Sequence, residues 1–402
     1  MKNNKVICVF LLLFLIIIST NFAVSGCSLF SWDGDNPGEG PATEKFPGED
    51  PGSEGKAKGE LKDEIARVLQ EMTLEEKIGQ MIIIGFEGPE IDNHVESMIR
   101  EHRVGGLILF GRNIGDKNQL TGLTTGLQAI NQDNRLPLFI AVDEEGGRIS
   151  RLPPGAPQFP SNKTLGEQND PEYSFTVGQE TGAELATFGF NMNFAPVLDI
   201  FSNPQNEVIG DRSFGNNPQI VSRLGLAVMK GLQSKNIISV VKHFPGHGDT
   251  HVDSHFGLPV VEHDRARLES FEFVPFKEAI AGGAEAIMTA HIMYPKIEPG
   301  KPATMSGEIL TGILRHDLGF GGLIITDDLE MGAIVENYAV EEAALAAVQA
   351  GADVLLVCHS SGYQEGVLGR LKAAVQNGEL TRERVDESVA RIIELKQKYI
   401  EK

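Results

Sequence analysis

Short apolar runs recur along the chain from about residue 80 onward, and each is followed by a glycine-rich or polar loop. Their apolar positions are continuous rather than alternating, which is typical of parallel strands buried on both faces. Eight such runs can be distinguished: Met81–Phe86, Gly106–Phe110, Leu138–Asp143, Met192–Asp199, Ile238–His243, Ala286–His291, Leu323–Asp327 and Asp353–Val357. The pattern predicts eight strands of a parallel sheet.

Most of the segments between these runs have the apolar spacing of helices. They are Leu120–Asn131, Asp170–Phe188, Pro218–Gln233, Leu268–Gly282, Met305–Asp317 and Tyr338–Ala350, and the chain ends with a further helical pattern at Asp386–Tyr399. Eight β–α units that close on themselves form a TIM (β/α)8 barrel, whose usual ~250 residues leave room here for long loops. The sequence therefore predicts an α/β protein with a single TIM barrel domain over residues 61–402. An open doubly wound sheet is the alternative.

The first 60 residues have a different pattern. Lys2 and Lys5 border the apolar run Val6–Ile18, and a box of small residues, Val24-Ser25-Gly26, precedes Cys27. This order resembles a bacterial lipoprotein signal, which is cleaved before the cysteine that carries the lipid. We therefore expect a signal peptide at 1–26, a lipid on Cys27 and attachment to the outer face of the cell membrane. An uncleaved membrane anchor is the alternative.

Residues 27–60 contain many glycines, prolines and acidic residues but almost no aliphatic ones. Such a composition buries too little apolar surface to fold, so we expect a flexible tether between the lipidated cysteine and the barrel. The folded part is expected to begin near Leu61, and Thr73-Leu74-Glu75-Glu76 has the pattern of a capping box at a helix start. Because Cys358 is the only cysteine beyond the tether, no internal disulfide is expected there.

The charge balance excludes one class of partner. The formal net charge is −21 at neutral pH, and no basic cluster interrupts the acidic surface. Proteins that bind nucleic acids need clustered lysines and arginines to displace counterions from phosphates. We therefore expect no nucleic-acid partner, and the sequence carries no signal of oligomeric state.

Candidate chemistry is concentrated where the apolar runs end. Asp143, Asp199, His243, His291 and Asp327 each end a different run. Barrel enzymes build their active sites at the carboxyl ends of the strands, so these five side chains are expected to face one mouth.

One stretch, 242–255, is especially rich in titratable groups. Its histidines recur every four residues, at His243, His247, His251 and His255. Pro245, Gly246 and Gly248 break any helix, so this spacing does not place the imidazoles on one face. Two interpretations stay open: a metal site formed by Lys242, His243, His291 and Asp327 at neighbouring strand ends, or an acid/base pair of Asp253 and His255 without a metal.

Longer motifs identify a family. They are Lys242-His243-Phe244-Pro245-Gly246-His247-Gly248 with Asp253-Ser254-His255, Ala141-Val142-Asp143-Glu144-Glu145-Gly146-Gly147-Arg148, Asn193-Phe194-Ala195-Pro196-Val197-Leu198-Asp199, Ile209-Gly210-Asp211-Arg212-Ser213-Phe214-Gly215 and Thr326-Asp327-Asp328-Leu329-Glu330-Met331. Together they resemble the β-N-acetylglucosaminidases of glycoside hydrolase family 3. The resemblance covers residues 61 to about 400.

The resemblance implies roles for individual residues. Asp327 is the expected nucleophile, and His255, paired with Asp253, is the expected general acid/base on a loop with a glycine hinge. The expected sugar contacts are Asp143, Arg151, Arg212, Lys242 and His243. No cofactor and no metal are expected.

The resemblance also implies an activity, the exo-acting, retaining removal of terminal N-acetylglucosamine, with peptidoglycan fragments as the expected carbohydrate substrate. Many family members carry a further α/β domain after the barrel, which is not expected here; this disfavours the β-glucosidases that place a catalytic carboxylate there. The alternatives are a β-glucosidase or β-xylosidase, an N-acetylglucosaminide phosphorylase, a metal-dependent barrel hydrolase, and a binding lipoprotein without activity.

Overall fold

A closed barrel of eight parallel strands lies at the centre of the computed structural model, which describes residues 51–251, 253–254 and 257–400. The strands are β1 (Ile82–Ile84), β2 (Gly106–Leu109), β3 (Phe139–Val142), β4 (Met192–Asn193), β5 (Ile238–Phe244), β6 (Ala286–Thr289), β7 (Leu323–Asp328) and β8 (Val354–Val357). Neighbours in sequence pair in order, and β8 closes the barrel on β1. The predicted TIM barrel is confirmed, and each predicted run corresponds to one strand.

Helices occupy every connection between consecutive strands, and further helices precede β1 and follow β8. They are α1 (Pro51–Glu71), α2 (Leu74–Gln80), α3 (Asn93–Arg100), α4 (Lys117–Ile130), α5 (Asn162–Gln168), α6 (Pro171–Thr187), α7 (Pro218–Gln233), α8 (Arg265–Ser270), α9 (Val274–Ala281), α10 (Gly332–Val335), α11 (Val340–Ala350), α12 (Ser361–Asn377) and α13 (Arg382–Tyr399). A π-helix, Glu308–Asp317, joins β6 to β7. No helix among the described residues is both long and apolar enough to cross a bilayer.

Burial explains the continuous apolar runs. Every strand residue is buried except Asp327 and Asp328, which end β7 and are partly exposed. The inner faces of the strands fill the barrel, and the outer faces pack against the helices. The two aspartates are thus the strand residues that keep part of their surface exposed.

The chain before the barrel contains one long helix. Helix α1 begins at Pro51, within the range predicted as a tether. Proline is well tolerated in the first turn of a helix, where its missing N–H has no acceptor to satisfy. The expected signal peptide, Cys27 and the rest of the tether lie outside the described residues. The predicted capping box is confirmed at Thr73, whose Oγ1 accepts from the N–H of Glu76 at 3.2 Å.

Two predicted elements are divided by proline. The predicted helix 268–282 becomes α8 and α9, because Pro275 lacks the N–H that a continuous helix needs and instead occupies the first turn of α9. The predicted strand 192–199 is reduced to β4 because Pro196 likewise cannot donate to the ladder. Pairing with β5 resumes at a single bridge between Val197 and Lys242.

Candidate active site

A cavity of about 420 Å³ opens at the carboxyl ends of the strands. The expected site residues that line it are Asp143, Arg151, Arg212, Lys242, His243 and Asp327. They come from the ends of β3, β5 and β7 and from the loops after β3 and β4. Asp253 is described but does not line this cavity, and His255 lies outside the described residues.

A buried lysine organises the charged part of the cavity. Nζ of Lys242, on β5, lies 2.5 Å from Oδ1 of Asp143 and 2.6 Å from Oε1 of Glu145. Burial by itself lowers the pKa of Lys242, but the two carboxylates outweigh burial and raise that pKa. Lys242 is therefore a charged ammonium that fixes both acids.

Arg212 completes this cluster. Its Nε and Nη2 donate to the two carboxylate oxygens of Glu145, each at 2.8 Å. Burial by itself raises the pKa of Glu145, but Arg212 and Lys242 hold that pKa far below its usual range. Two cations and two carboxylates thus form a balanced network, which we call the charged cluster: Asp143, Glu145, Arg212 and Lys242.

Glu145 is the member that was not predicted as a site residue. The motif contains two adjacent glutamates, and only the folded chain separates their roles. Oε2 of Glu144 accepts from the backbone N–H of Arg151 at 2.7 Å and from the hydroxyl of Ser150 at 2.9 Å, and burial raises the pKa of Glu144. Glu144 therefore fixes the loop after β3, whereas Glu145 holds the cations of the cavity. The signal that could have found Glu145 is its position two residues after Asp143.

His243 is oriented by a buried aspartate. Nδ1 of His243 donates to Oδ2 of Asp199 at 2.6 Å, and both side chains are buried. Burial by itself raises the pKa of Asp199, but the charge and hydrogen bond of His243 outweigh burial and lower it. Nε2 of His243 then faces Arg212, 3.5 Å from Nη2. Asp199 therefore determines which imidazole nitrogen reaches the cavity.

Asp327 lies at the open end of β7. Oδ1 of Asp327 accepts from the N–H of Asp328 at 2.9 Å, and no hydrogen bond to Oδ2 is found within the described residues. Burial by itself raises its pKa, but His243, His291, the Asp328 N–H and Lys242 together lower the pKa of Asp327 below its usual value. The side chain is therefore a carboxylate at neutral pH, with one oxygen hydrogen-bonded to the backbone, and the residue lines the cavity.

His291 holds the backbone at the end of β7. Its Nε2 donates to the carbonyl oxygen of Asp328 at 2.9 Å, and Nδ1 lies 2.8 Å from the hydroxyl of Thr304. Burial lowers the pKa of His291. Both ring nitrogens are occupied by the protein, and within the described ranges no group of three His, Cys, Asp or Glu side chains is arranged to hold a metal ion.

The segment that leaves β5, residues 245–251, is held by the loop after β4. Asn206 donates from Nδ2 to the carbonyl oxygen of His247 at 2.8 Å, and Asn203 does the same for Thr250 at 2.9 Å. Burial, and then the charge of His243, lower the pKa of His247 to about 4, so that its ring is neutral. This ring hydrogen-bonds within the loop and does not act as a charged group.

The glycines of this segment serve close packing. A Cβ on Gly248 would lie 1.6 Å from the carbonyl oxygen of Ile200. Gly246 adopts a positive φ of 136°, and its carbonyl oxygen accepts from the hydroxyl of Tyr294 at 2.5 Å. The sequence predicts a hinge at these glycines, and in the structure both pack closely against neighbouring backbone and side chains.

Beyond this segment the loop returns to the cavity at Ser254. The hydroxyl of Ser254 lies 3.1 Å from Nε2 of His247, and its carbonyl oxygen accepts from the N–H of Ala333 at 3.0 Å. Ala333 belongs to α10, which follows β7. Ser254 therefore lines the same cavity as Asp327.

Comparison with known proteins agrees with this geometry. The Glycosyl hydrolase family 3 N terminal domain matches residues 73–395. Beta-hexosaminidase A of Pseudoalteromonas piscicida is 40% identical over 329 residues, which are 76% of this chain and 55% of that protein. The beta-hexosaminidase of Methylobacillus flagellatus is 38% identical over 307 residues, 75% of this chain and 86% of that protein.

A solved structure is similar over the same region. The glycoside hydrolase family 3 beta-N-acetylglucosaminidase from Paenibacillus sp. str. FPU-7 superposes with a TM-score of 0.80 and 45% identity, covering 82% of this chain and 63% of that chain. The chain thus spans little more than half of the Pseudoalteromonas protein and less than two thirds of the Paenibacillus one. A match over residues 73–395 covers most of the sequence. The chain therefore belongs to glycosyl hydrolase family 3.

Proposed function

We propose that the chain is an exo-acting, retaining β-N-acetylhexosaminidase that removes terminal N-acetylglucosamine. The observation that carries the proposal is that an ionised Asp327 and the charged cluster line one cavity. The names of the relatives support the choice of substrate, since two are beta-hexosaminidases and one is a beta-N-acetylglucosaminidase.

The charged cluster suits the hydroxyl groups of a terminal sugar. Asp143 and Glu145 accept hydrogen bonds, whereas Lys242 and Arg212 donate them, and all four are fixed by contacts with one another. Arg151 lines the same space and adds a further donor, and Nε2 of His243 faces it as an acceptor. Groups held in place before binding lose little entropy when the sugar arrives.

Asp327 is proposed as the nucleophile. Its carboxylate attacks the anomeric carbon, a bond forms between an Asp327 oxygen and that carbon, and the bond to the leaving oxygen breaks. Water then attacks the same carbon and releases the sugar and the carboxylate. The lowered pKa keeps Asp327 ionised, as the first step requires.

His255, with Asp253 as its partner, is proposed as the acid/base. It gives a proton to the leaving oxygen in the first step and takes one from water in the second. The position of Ser254 supports this role, because the residue before His255 lines the same cavity as Asp327. Asp253 fits a positioning role, since a carboxylate partner orients an imidazole and stabilises its charged form.

Trapping with a 2-fluoro glycoside tests the mechanism. A label on Asp327, found by mass spectrometry of the digested protein, supports the assigned nucleophile; a label elsewhere or none overturns it. Chromogenic glycosides that differ only in the 2-acetamido group test the substrate, and a preference for the sugar without that group indicates a β-glucosidase. Adding inorganic phosphate and looking for a sugar 1-phosphate separates phosphorolysis from hydrolysis.

We further propose that the natural substrates are peptidoglycan fragments and that a lipid on Cys27 holds the protein at the outer face of the membrane. The motif ending at Cys27 supports this location, and the proposed specificity for N-acetylglucosamine supports this substrate. Metabolic labelling with a lipid precursor, compared between the full chain and a Cys27→Ala variant, tests the anchor. Release of N-acetylglucosamine from purified muropeptides tests the substrate.

A further inference from the structure

One wall of the cavity contains no residue of the charged cluster. Its lining residues lie at the end of β7 and in the loops after β2, β7 and β8, and they are Phe110, Asp328, Glu330, Met331 and His359. In the closed barrel, the arc from β8 through β1 to β2 lies across from β5, which carries Lys242. His359 and Phe110 therefore lie across the cavity from Lys242.

His359 is fixed on this wall from three directions. Its backbone N–H donates to Oε1 of Glu330 at 2.7 Å, and Nε2 donates to Oδ2 of Asp328 at 3.1 Å. Its ring stacks on Phe110, with centroids 5.4 Å apart and planes at 28°, and the guanidinium carbon of Arg112 lies 4.3 Å from the centre of the Phe110 ring. An imidazole at the cavity mouth is thereby held in one orientation.

This fixed ring is nevertheless open to solvent. The His359 side chain is 45% exposed, and the described residues provide no hydrogen-bond partner for its Nδ1. Holding an exposed side chain in one rotamer costs conformational entropy that burial does not recover here. A flat ring face beside a ring nitrogen suits a ligand that has both an apolar face and hydroxyl groups, as a sugar ring has.

The position of His359 relative to Asp327 indicates which sugar ring of an oligosaccharide substrate would contact His359. Asp328, which binds His359, is adjacent to the proposed nucleophile. A terminal sugar held by the charged cluster presents its anomeric carbon to Asp327, so the leaving group extends away from that cluster. We propose that His359, supported by Phe110, binds the sugar on the leaving-group side and thus selects β-linked oligosaccharides over glycosides with small leaving groups. This inference rests on the proposed function.

The test compares two substrates that share the terminal sugar. N,N′-diacetylchitobiose has a second sugar ring, whereas methyl N-acetyl-β-glucosaminide has only a methyl group. For His359→Ala we expect the ratio of kcat/KM, disaccharide over methyl glycoside, to fall about tenfold to fiftyfold, because a ring contact and a hydrogen bond are both lost. His359→Phe keeps the ring and loses the nitrogen, so a smaller fall is expected.

Tyr363→Ala is the control, because it removes an exposed ring on α12 that does not line the cavity, and it should leave the ratio unchanged. If His359→Ala lowers kcat/KM equally for both substrates, His359 acts only through Asp328 and the inference is overturned. If the unaltered protein hydrolyses neither substrate, the proposed function is overturned, and this inference with it.

Discussion

The ammonium of Lys242 lies 2.6 Å from Oε1 of Glu145, and the two side chains are 2% and 1% exposed. A buried ion pair of this kind does little for stability by itself, because both charges lose their hydration. It fixes geometry instead: Glu145 also binds Arg212 through both oxygens, so one carboxylate sets the positions of two cations that line the cavity.

Replacing Glu145 with glutamine should therefore strongly reduce both stability and substrate binding. The variant leaves Lys242 and Arg212 with Asp143 as their remaining carboxylate in the cluster, and an uncompensated buried charge costs about 3 kcal/mol or more. We expect a lower free energy of unfolding, measured by denaturant titration, and a higher KM for the sugar substrate.

Glu144→Gln is the matched control, since it makes the same change at the neighbouring buried glutamate. Oε2 of Glu144 accepts hydrogen bonds from uncharged donors, the hydroxyl of Ser150 and the backbone N–H of Arg151, and a glutamine oxygen can accept them too. We expect a loss of about 1 kcal/mol or less. Equal losses in the two variants would contradict the role assigned to Glu145.

The ion pair of Lys242 and Glu145 also predicts how the stability of the fold depends on pH. The pKa of Glu145 is lower in the folded protein than in the unfolded chain, where it is about 4.3, so its ion pairs stabilise the fold above that pH. This stabilisation is lost as the pH falls below about 4.3. In thermal melts, the Tm difference between the unaltered protein and Glu145→Gln should be large at pH 7 and should shrink below pH 4; a constant difference would argue against this assignment.

Asp199→Asn tests the orientation of His243. An asparagine can still accept from backbone N–H groups, but its amide nitrogen can replace the oxygen that accepts from Nδ1 of His243. Losing a charge-assisted hydrogen bond at this ring should lower kcat/KM roughly tenfold to a hundredfold. Asp170→Asn is a suitable control, because asparagine caps α6 as well as aspartate does. Similar kinetics in the two variants would show that the Asp199 contact is dispensable.

The barrel and the strand-end residues were predictable because topology determines them. A residue that ends a parallel strand must lie at the carboxyl edge of the sheet, so Asp143 and Asp327 were expected at one mouth without knowledge of any contact. The family resemblance added Arg151 and Arg212, which lie on long loops that strand periodicity does not reach. The structure brings these four residues to one cavity.

Contacts between distant loops were less predictable. Glu145 reaches Lys242 only because the loop after β3 turns back over the barrel mouth, and adjacent Glu144 has the same chemistry in the sequence. The glycines at 246–248 were interpreted as a hinge because glycine permits both movement and close approach. Only the nearby carbonyl oxygen of Ile200 shows that close approach is the reason for Gly248.

That close approach gives the last prediction, for Gly248→Ala. The added methyl group would lie 1.6 Å from the carbonyl oxygen of Ile200, so one of the two backbone segments must move. Overpacking typically costs about 1–3 kcal/mol. Because Asp199 binds the N–H of neighbouring His247 at 2.6 Å, the displacement should also disturb His243, and we expect lower kcat/KM together with a lower Tm.

Gly307→Ala provides the comparison, because a Cβ there meets no atom within 4 Å and the backbone is already helical, with φ −64° and ψ −34°. Alanine favours this conformation, so Tm should stay the same or rise slightly. If Gly248→Ala retains both Tm and kcat/KM, the segment after β5 can shift without cost, and Gly248 is then part of a hinge after all. If both Tm and kcat/KM fall instead, the segment after β5 cannot shift, and the loop that carries His255 begins from a rigid segment.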